Sequence, residues 1–111
     1  MELAKKKCSA CEDKNTKPLS KGKVSGYLEE LIHWTLDKKG KMIFKQLEFK
    51  TFVNSIDFVN AVADIAEMEG HHPDIHIWYN KVRLELSTHS IDGLTENDFI
   101  VAAKIDELIK F

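Results

Sequence analysis

The chain of 111 residues lacks the features of several special classes of protein. Two cysteines are too few for a disulfide scaffold in a chain of this length. No apolar run approaches the length of a membrane-spanning helix, and the first residues lack the apolar segment of a secretory signal. We therefore expect a cytoplasmic protein with no membrane partner.

A strong charge of one sign is also absent. The formal net charge is −2, which gives no reason to expect direct binding to nucleic acid. The chain has no GxGxxG, Walker or HExxH motif and no serine nucleophile elbow. With 43% hydrophobic residues, it is long enough to bury a core as one domain.

The composition changes near residue 20. Residues 1–19 are rich in Lys, Ser and Asn, which predicts a flexible basic arm before a folded domain over residues 20–111. The arm carries Cys8 and Cys11 as a CxxC pair, a spacing found in zinc sites. No second CxxC accompanies it, so two free thiols are favoured over a metal site.

Hydrophobic periodicity predicts seven elements in the domain. Helices are expected at about 20–33, from Asn54 or Ser55 to about 69, and from Thr95 onward; strands are expected at 34–37, 42–49, 75–79 and 82–88. Short loops favour antiparallel hairpins. The order α-β-β-α-β-β-α predicts an α+β, two-layer domain: a four-stranded antiparallel sheet with three helices on one face. The other face needs a polar surface or a partner subunit.

Polar side chains able to carry proton transfer gather in the second half of the chain. His71 and His72 stand between a predicted helix end and Pro73, which favours an extended backbone at His72. Adjacent extended residues point in opposite directions, so both rings rarely bind one metal ion. Taken alone, the pair is more often a polar loop.

Four further residues have ordinary explanations beside functional ones. His89 follows the alternating strand, where it could lie on the surface or curl over the sheet edge. Asp98 falls on the buried stripe of the last helix, either as a cap or aimed at a pocket. Glu67 lies on the polar face of its helix, and Trp34 could pack in the core or stack on a flat heterocycle.

Together these residues reproduce a family pattern. The spacing resembles that of the pterin-4a-carbinolamine dehydratases over about residues 18–110, and it is carried by Glu67, His71-His72-Pro73, Tyr79, His89 and Asp98. The resemblance implies the same α+β fold. It also implies conversion of 4a-hydroxytetrahydropterin to quinonoid dihydropterin and water, which regenerates the cofactor of aromatic amino acid hydroxylases. Neither a metal nor an organic cofactor is implied.

The resemblance also assigns roles at a pterin site. It places His71, His72 and His89 around the pterin, with Glu67 and Asp98 in the same site and Trp34 close to it. Two imidazoles can supply the general acid and the general base that a dehydration needs. We expect His71 and His89 to be the proton-transfer pair and His72 to bind the ring.

The same family suggests partners other than the substrate. Its members are oligomeric, which implies a homodimer or homotetramer here. Some members are dimerisation partners of a transcription factor, and some relatives are assembly chaperones. A non-catalytic binding module is therefore the alternative to the enzyme, and a zinc protein is a third reading.

Overall fold

The computed structural model describes residues 3–6 and 17–109, and its elements follow the predicted order. After a 3₁₀ turn at Leu3–Lys5, the chain forms α1 (Lys21–Glu29), β1 (Thr35–Leu36), β2 (Ile43–Glu48), α2 (Phe52–Glu69), β3 (Asp74–Trp78), β4 (Lys81–Leu86), a 3₁₀ turn at His89–Ile91 and α3 (Glu96–Leu108). The predicted fold class, α+β in the order α-β-β-α-β-β-α, is confirmed.

The four strands form one antiparallel sheet in the order β1-β2-β4-β3. In the register, Leu86 lies opposite Ile43, and Leu84 lies opposite both Lys45 and Ile75. Because alternate residues of a strand share a face, these side chains and Val82 point to the same side of the sheet. This side forms the core, where Val82, Leu84 and Leu86 are inaccessible to solvent.

All three helices contribute to the core that covers this face. Val24 comes from α1, Phe58 and Val62 from α2, and Phe99 and Ile105 from α3. The opposite face of the sheet carries mainly polar and exposed side chains. The pocket described below lies between the turn that follows α2 and the segment that follows β4.

The first helix is shorter than predicted. It ends at Glu29, because the backbone N–H of Ile32 donates to the Asp106 carboxylate at 2.9 Å and not to a helical carbonyl. His33 then takes a left-handed backbone conformation with φ of 59°. The sequence pattern could not show this, since the competing acceptor is on a distant helix.

The second helix begins earlier than predicted and ends as predicted. Thr51 is its N-cap, and the Thr51 hydroxyl accepts from the N–H of Asn54 at 3.1 Å, so Phe52 is the first helical residue. Gly70 ends the helix with φ of 67°, the left-handed conformation that glycine adopts without a steric penalty.

Residues 3–6 pack against the domain, although the whole of residues 1–19 was predicted to be a flexible arm. Leu3 is only 1% exposed and belongs to the hydrophobic core, and the Lys104 ammonium donates to the carbonyl of Ala4 at 2.8 Å. An apolar side chain that fills a core position holds this short turn in place. Residues 7–16, with Cys8 and Cys11, lie outside the described residues.

Lys6 extends this contact to the first turn of α3. Its ammonium lies 2.7 Å from the Glu96 carboxylate, which also accepts from the Tyr27 hydroxyl at 3.0 Å. The hydrogen bond from Lys6 lowers the pKa of Glu96. Burial and the hydrogen bond to Glu96 raise the pKa of Tyr27. Three parts of the chain thus meet at the start of α3.

Among the helices of residues 17–109, none is both long and apolar enough to cross a membrane.

We expect Leu3→Ala to lower the free energy of unfolding by about 2–5 kcal/mol, because a fully buried leucine leaves a cavity when truncated. Urea denaturation of the full chain would measure this difference. Leu108→Ala is the matched control, since Leu108 is partly exposed on α3 and its truncation opens no cavity. Equal losses in the two variants would show that residues 3–6 do not pack against the domain in solution.

Candidate functional site

The turn after α2 directs two neighbouring histidines to opposite sides. The N–H of His71 donates to the carbonyl of Ala66 at 3.3 Å, and the chain then enters β3 through the buried Pro73. The imidazole of His71 is 6% exposed, whereas that of His72 is 57% exposed. This is the divergence expected for adjacent extended residues.

Asp98 is the acceptor behind His71. One carboxylate oxygen, Oδ1, lies 2.6 Å from Nε2 of His71, and the other, Oδ2, accepts from the Thr88 hydroxyl at 2.9 Å. The N–H of Thr95 also donates to Oδ2 at 2.9 Å, as part of a capping box at the start of α3. Asp98 is completely buried, and the same carboxylate both caps α3 and contacts the pocket residue His71.

The orientation of the His71 ring follows from this geometry. An ionised carboxylate can only accept hydrogen bonds, so the contact with Asp98 places a proton on Nε2 of His71. Asp98 thus fixes both the direction and the tautomer of this imidazole.

Glu67 pairs with the other histidine of the turn. Its Oε2 lies 2.6 Å from Nε2 of His72, but both side chains are exposed, Glu67 by 78%. The two residues are five positions apart and come together because α2 ends between them. The site therefore contains two carboxylate–imidazole pairs with the same N–O distance of 2.6 Å. The His71–Asp98 pair is buried, and the His72–Glu67 pair is exposed to water.

His89 completes the set of histidines. It opens the 3₁₀ turn at His89–Ile91, which two residues separate from the end of β4, and it is exposed. A pocket of about 290 Å³ is lined by Gly70, His71, His72, Ser87, Thr88, His89 and Ser90. Three histidines that are up to 18 positions apart in sequence are thus among the residues that line one pocket, and Asp98 is hydrogen-bonded to His71.

Two residues of the sequence pattern lie elsewhere. Trp34 is buried, and its indole N–H donates to Oδ1 of Asp106 at 2.9 Å, beside the buried Lys45. It is not among the residues that line the histidine pocket. Tyr79 is 70% exposed in the tight turn between β3 and β4, with φ of 48°, and it does not line the pocket either.

Thr88 is the site residue that the sequence reasoning missed. Its side chain is buried, contacts Asp98 and lines the pocket. The alternation that places Val82, Leu84 and Leu86 inside also places Thr88 inside. A hydroxyl at the buried end of such a strand needs a hydrogen-bond partner, which is the signal that could have identified it.

Metal binding has no structural support in the described part of the chain. Over residues 3–6 and 17–109, no group of three His, Cys, Asp or Glu side chains is arranged to hold a metal ion. His71, His72 and His89 are nevertheless all among the residues that line one pocket.

Comparison with known proteins identifies the family. The family model described as pterin 4 alpha carbinolamine dehydratase matches residues 17–108. The chain belongs to this family. The resemblance inferred from the histidine spacing is thereby confirmed, as is membership in a family of dehydratases.

Individual relatives extend the match over nearly the whole chain. A putative pterin-4-alpha-carbinolamine dehydratase of Nitrosospira multiformis is 46% identical over 109 residues, which cover 98% of this chain and 94% of the relative. Another from Halorhodospira halophila is 39% identical over 108 residues, covering 97% of this chain and 98% of the relative.

A solved structure shares the fold. The transcriptional coactivator/pterin dehydratase of Brucella melitensis superposes with a TM-score of 0.80 at 30% identity, over 85% of this chain and 100% of that structure. The family therefore includes a protein described both as a coactivator and as a dehydratase.

The two carboxylate–imidazole pairs should differ sharply in their effect on stability. We expect Asp98→Asn to lower the free energy of unfolding by about 2–4 kcal/mol, because an amide N–H₂ must then face a buried donor. Glu67→Gln is the matched control, and it should leave stability almost unchanged because exposed pairs contribute little. Urea denaturation of both variants would measure the difference; equal effects would contradict the burial of Asp98.

Proposed function

We propose that this protein dehydrates 4a-hydroxytetrahydropterin to quinonoid dihydropterin and water by histidine general acid–base catalysis. The observation that carries the proposal is the convergence of His71, His72 and His89 on one pocket, with a buried carboxylate behind His71. A protein that served only as a scaffold would not need three imidazoles around a cavity.

The reaction needs one proton donor and one proton acceptor. The C4a–OH bond breaks with its electron pair leaving on oxygen, and a general acid protonates that oxygen to give water. A general base removes the proton of the neighbouring ring N–H, and the electron pair released forms the C=N bond of the product. Imidazole suits both tasks near neutral pH, because its unperturbed pKa lies near 6.5.

The contacts support a division of roles. His71 is held by Asp98 with Nε2 protonated, so it can accept or donate through Nδ1 without changing its position. His89 lies on the neighbouring wall of the pocket, at the end of β4. We assign proton transfer to these two residues. Their separate roles as acid and base are left open, because a dehydration requires one of each and both rings have suitable chemistry.

The exposed pair has a different role in this proposal. His72 lines the same pocket, and Glu67 orients its ring from the end of α2. A partly solvated imidazole held in this way can hydrogen-bond a polar edge of the flat pterin. We therefore assign ring binding to His72 and its support to Glu67. For Trp34, proximity to the substrate stays a prediction from the family resemblance.

In the cell, this activity would recycle a tetrahydrobiopterin-type cofactor for an aromatic amino acid hydroxylase. The product is the oxidised pterin that a reductase can return to the tetrahydro form. We propose this role, a cytoplasmic location and catalysis without a metal or organic cofactor, as the sequence resemblance implies.

We expect His71→Ala and His89→Ala each to lower kcat for dehydration by at least about 100-fold, since each removes a group that transfers a proton. The assay follows quinonoid dihydropterin formation from 4a-hydroxytetrahydropterin, with the spontaneous rate subtracted. His76→Ala is the matched control, because His76 is an exposed histidine of β3 that lies outside the pocket. A folded wild-type protein no faster than the spontaneous reaction would refute the enzyme.

The alternative function is a non-catalytic dimerisation, coactivator or assembly-chaperone module of the same fold. A specific likeness favours it: a pterin dehydratase-like protein described as a RuBisCO assembly factor in the alpha-carboxysome has a TM-score of 0.59 and 28% identity. That match covers 68% of this chain and 87% of the other structure. A folded protein with no dehydratase activity in the assay above would favour this alternative.

We also propose that the protein forms a homodimer or homotetramer. Two surfaces support this: β3 is an edge strand, and α2 leaves the apolar side chains of Phe52, Val53 and Met68 exposed. Unpaired strand edges and exposed apolar side chains are typical of surfaces that a second copy covers. We expect sedimentation equilibrium to give a mass at least twice the 12.7 kDa of one chain. A monomer at micromolar concentration would contradict the proposal.

A further inference from the structure

A chain of two buried hydroxyl groups ends on the Asp98 carboxylate. The Thr88 hydroxyl donates to Oδ2 of Asp98 at 2.9 Å, and its oxygen also lies 2.9 Å from the hydroxyl oxygen of Thr95. A hydroxyl has one proton to donate. Because the Thr88 proton points to Asp98, the Thr95 hydroxyl must be the donor to Thr88. The direction of the chain is therefore Thr95 to Thr88 to Asp98.

This chain determines how the carboxylate is turned. Thr88 and the N–H of Thr95 both hold Oδ2, which leaves Oδ1 facing Nε2 of His71. When two donors bind the same carboxylate oxygen, the group cannot turn about its Cβ–Cγ bond without breaking both hydrogen bonds. The direction of the His71 ring thus depends on the hydroxyl of Thr88, through Asp98.

The backbone of Thr88 holds the other proton-transfer residue. Its N–H donates to the carbonyl of Gly93 at 2.8 Å, and its carbonyl accepts from the N–H of Ile91 at 3.0 Å. These two bonds close the short loop that begins with His89. The position of His89 at the pocket wall is thus set by the residue directly before it.

We propose that Thr88 is the positioning residue of this site, holding His71 through Asp98 and His89 through its own backbone. The proposal rests on the dehydratase function proposed above. It adds that the relative position of the two imidazoles depends on one buried residue that has no acid–base chemistry of its own: its hydroxyl acts on His71, and its backbone acts on His89. Thr88 acts through its neighbours, so it should affect the rate of proton transfer more than the binding of pterin.

Thr88→Val tests the hydroxyl alone, because valine has nearly the same shape and keeps both backbone hydrogen bonds of the loop. We expect kcat to fall about 10-fold and KM to stay within about twofold, since a small displacement of a catalytic group costs rate before it costs binding. Thr88→Ser retains the hydroxyl and should keep kcat within about threefold of the wild type. Thr35→Val, at an exposed threonine of β1, is the matched control and should change neither constant.

An NMR measurement makes the test independent of catalysis. The proton between His71 and Asp98 should give a downfield ring N–H resonance in the substrate-free wild type and in Thr88→Ser. We expect this resonance to broaden or disappear in Thr88→Val. If the wild type lacks dehydratase activity, the proposed function fails, while the resonance still decides whether Thr88 positions His71.

Three outcomes would overturn the proposal. Thr88→Val could keep both the wild-type kcat and the His71 resonance, which would show that the hydroxyl positions nothing. It could raise KM alone, which would mean that Thr88 contacts the substrate directly. Thr88→Ser could lose as much activity as Thr88→Val, so that the methyl group and not the hydroxyl is required. Should Thr88→Val fail to fold, Thr88→Cys removes most of the donor strength and is judged by the same two readouts.

Discussion

The site depends on one buried carboxyl group, that of Asp98, at the start of α3. Burying a carboxylate is costly unless donors surround it, and Asp98 has three: a ring nitrogen, a hydroxyl and a backbone N–H. Each donor comes from a different element, namely the turn after α2, the end of β4 and the first turn of α3. The requirement to satisfy Asp98 therefore brings the two segments that line the pocket, residues 70–72 and 87–90, together against the start of α3.

A second buried aspartate performs a similar task two turns along the same helix. Asp106 accepts from Lys45, from the Trp34 indole and from the N–H of Ile32. Removing one partner of such a buried pair is expensive, although the pair itself need not add stability. Its effect is to specify where the connection between α1 and β1 lies, and it explains why α1 stops at Glu29.

The sequence predicted the layers of the fold and singled out the three histidines that line the pocket, but it could not predict these long-range contacts. Periodicity identified the elements because each of them buries one regular face, as the alternation around Leu84 shows. The ends of helices were harder to predict where a distant side chain accepts a backbone N–H, as Asp106 accepts the N–H of Ile32. Thr88 was missed because its importance comes from Asp98, ten positions away, and not from its immediate neighbours.

The contrast between the two carboxylate–imidazole pairs bears on how the protein meets its substrate. Asp98 is inaccessible to solvent and is held by three donors, so the side of the pocket behind His71 is rigid. Little of the binding free energy then has to be spent on arranging side chains there. The other half, at His72 and Glu67, is exposed to water, where a hydrogen bond holds two side chains less firmly than in the interior. One side of the pocket is thus held by buried hydrogen bonds, and the other side by a single hydrogen bond exposed to water.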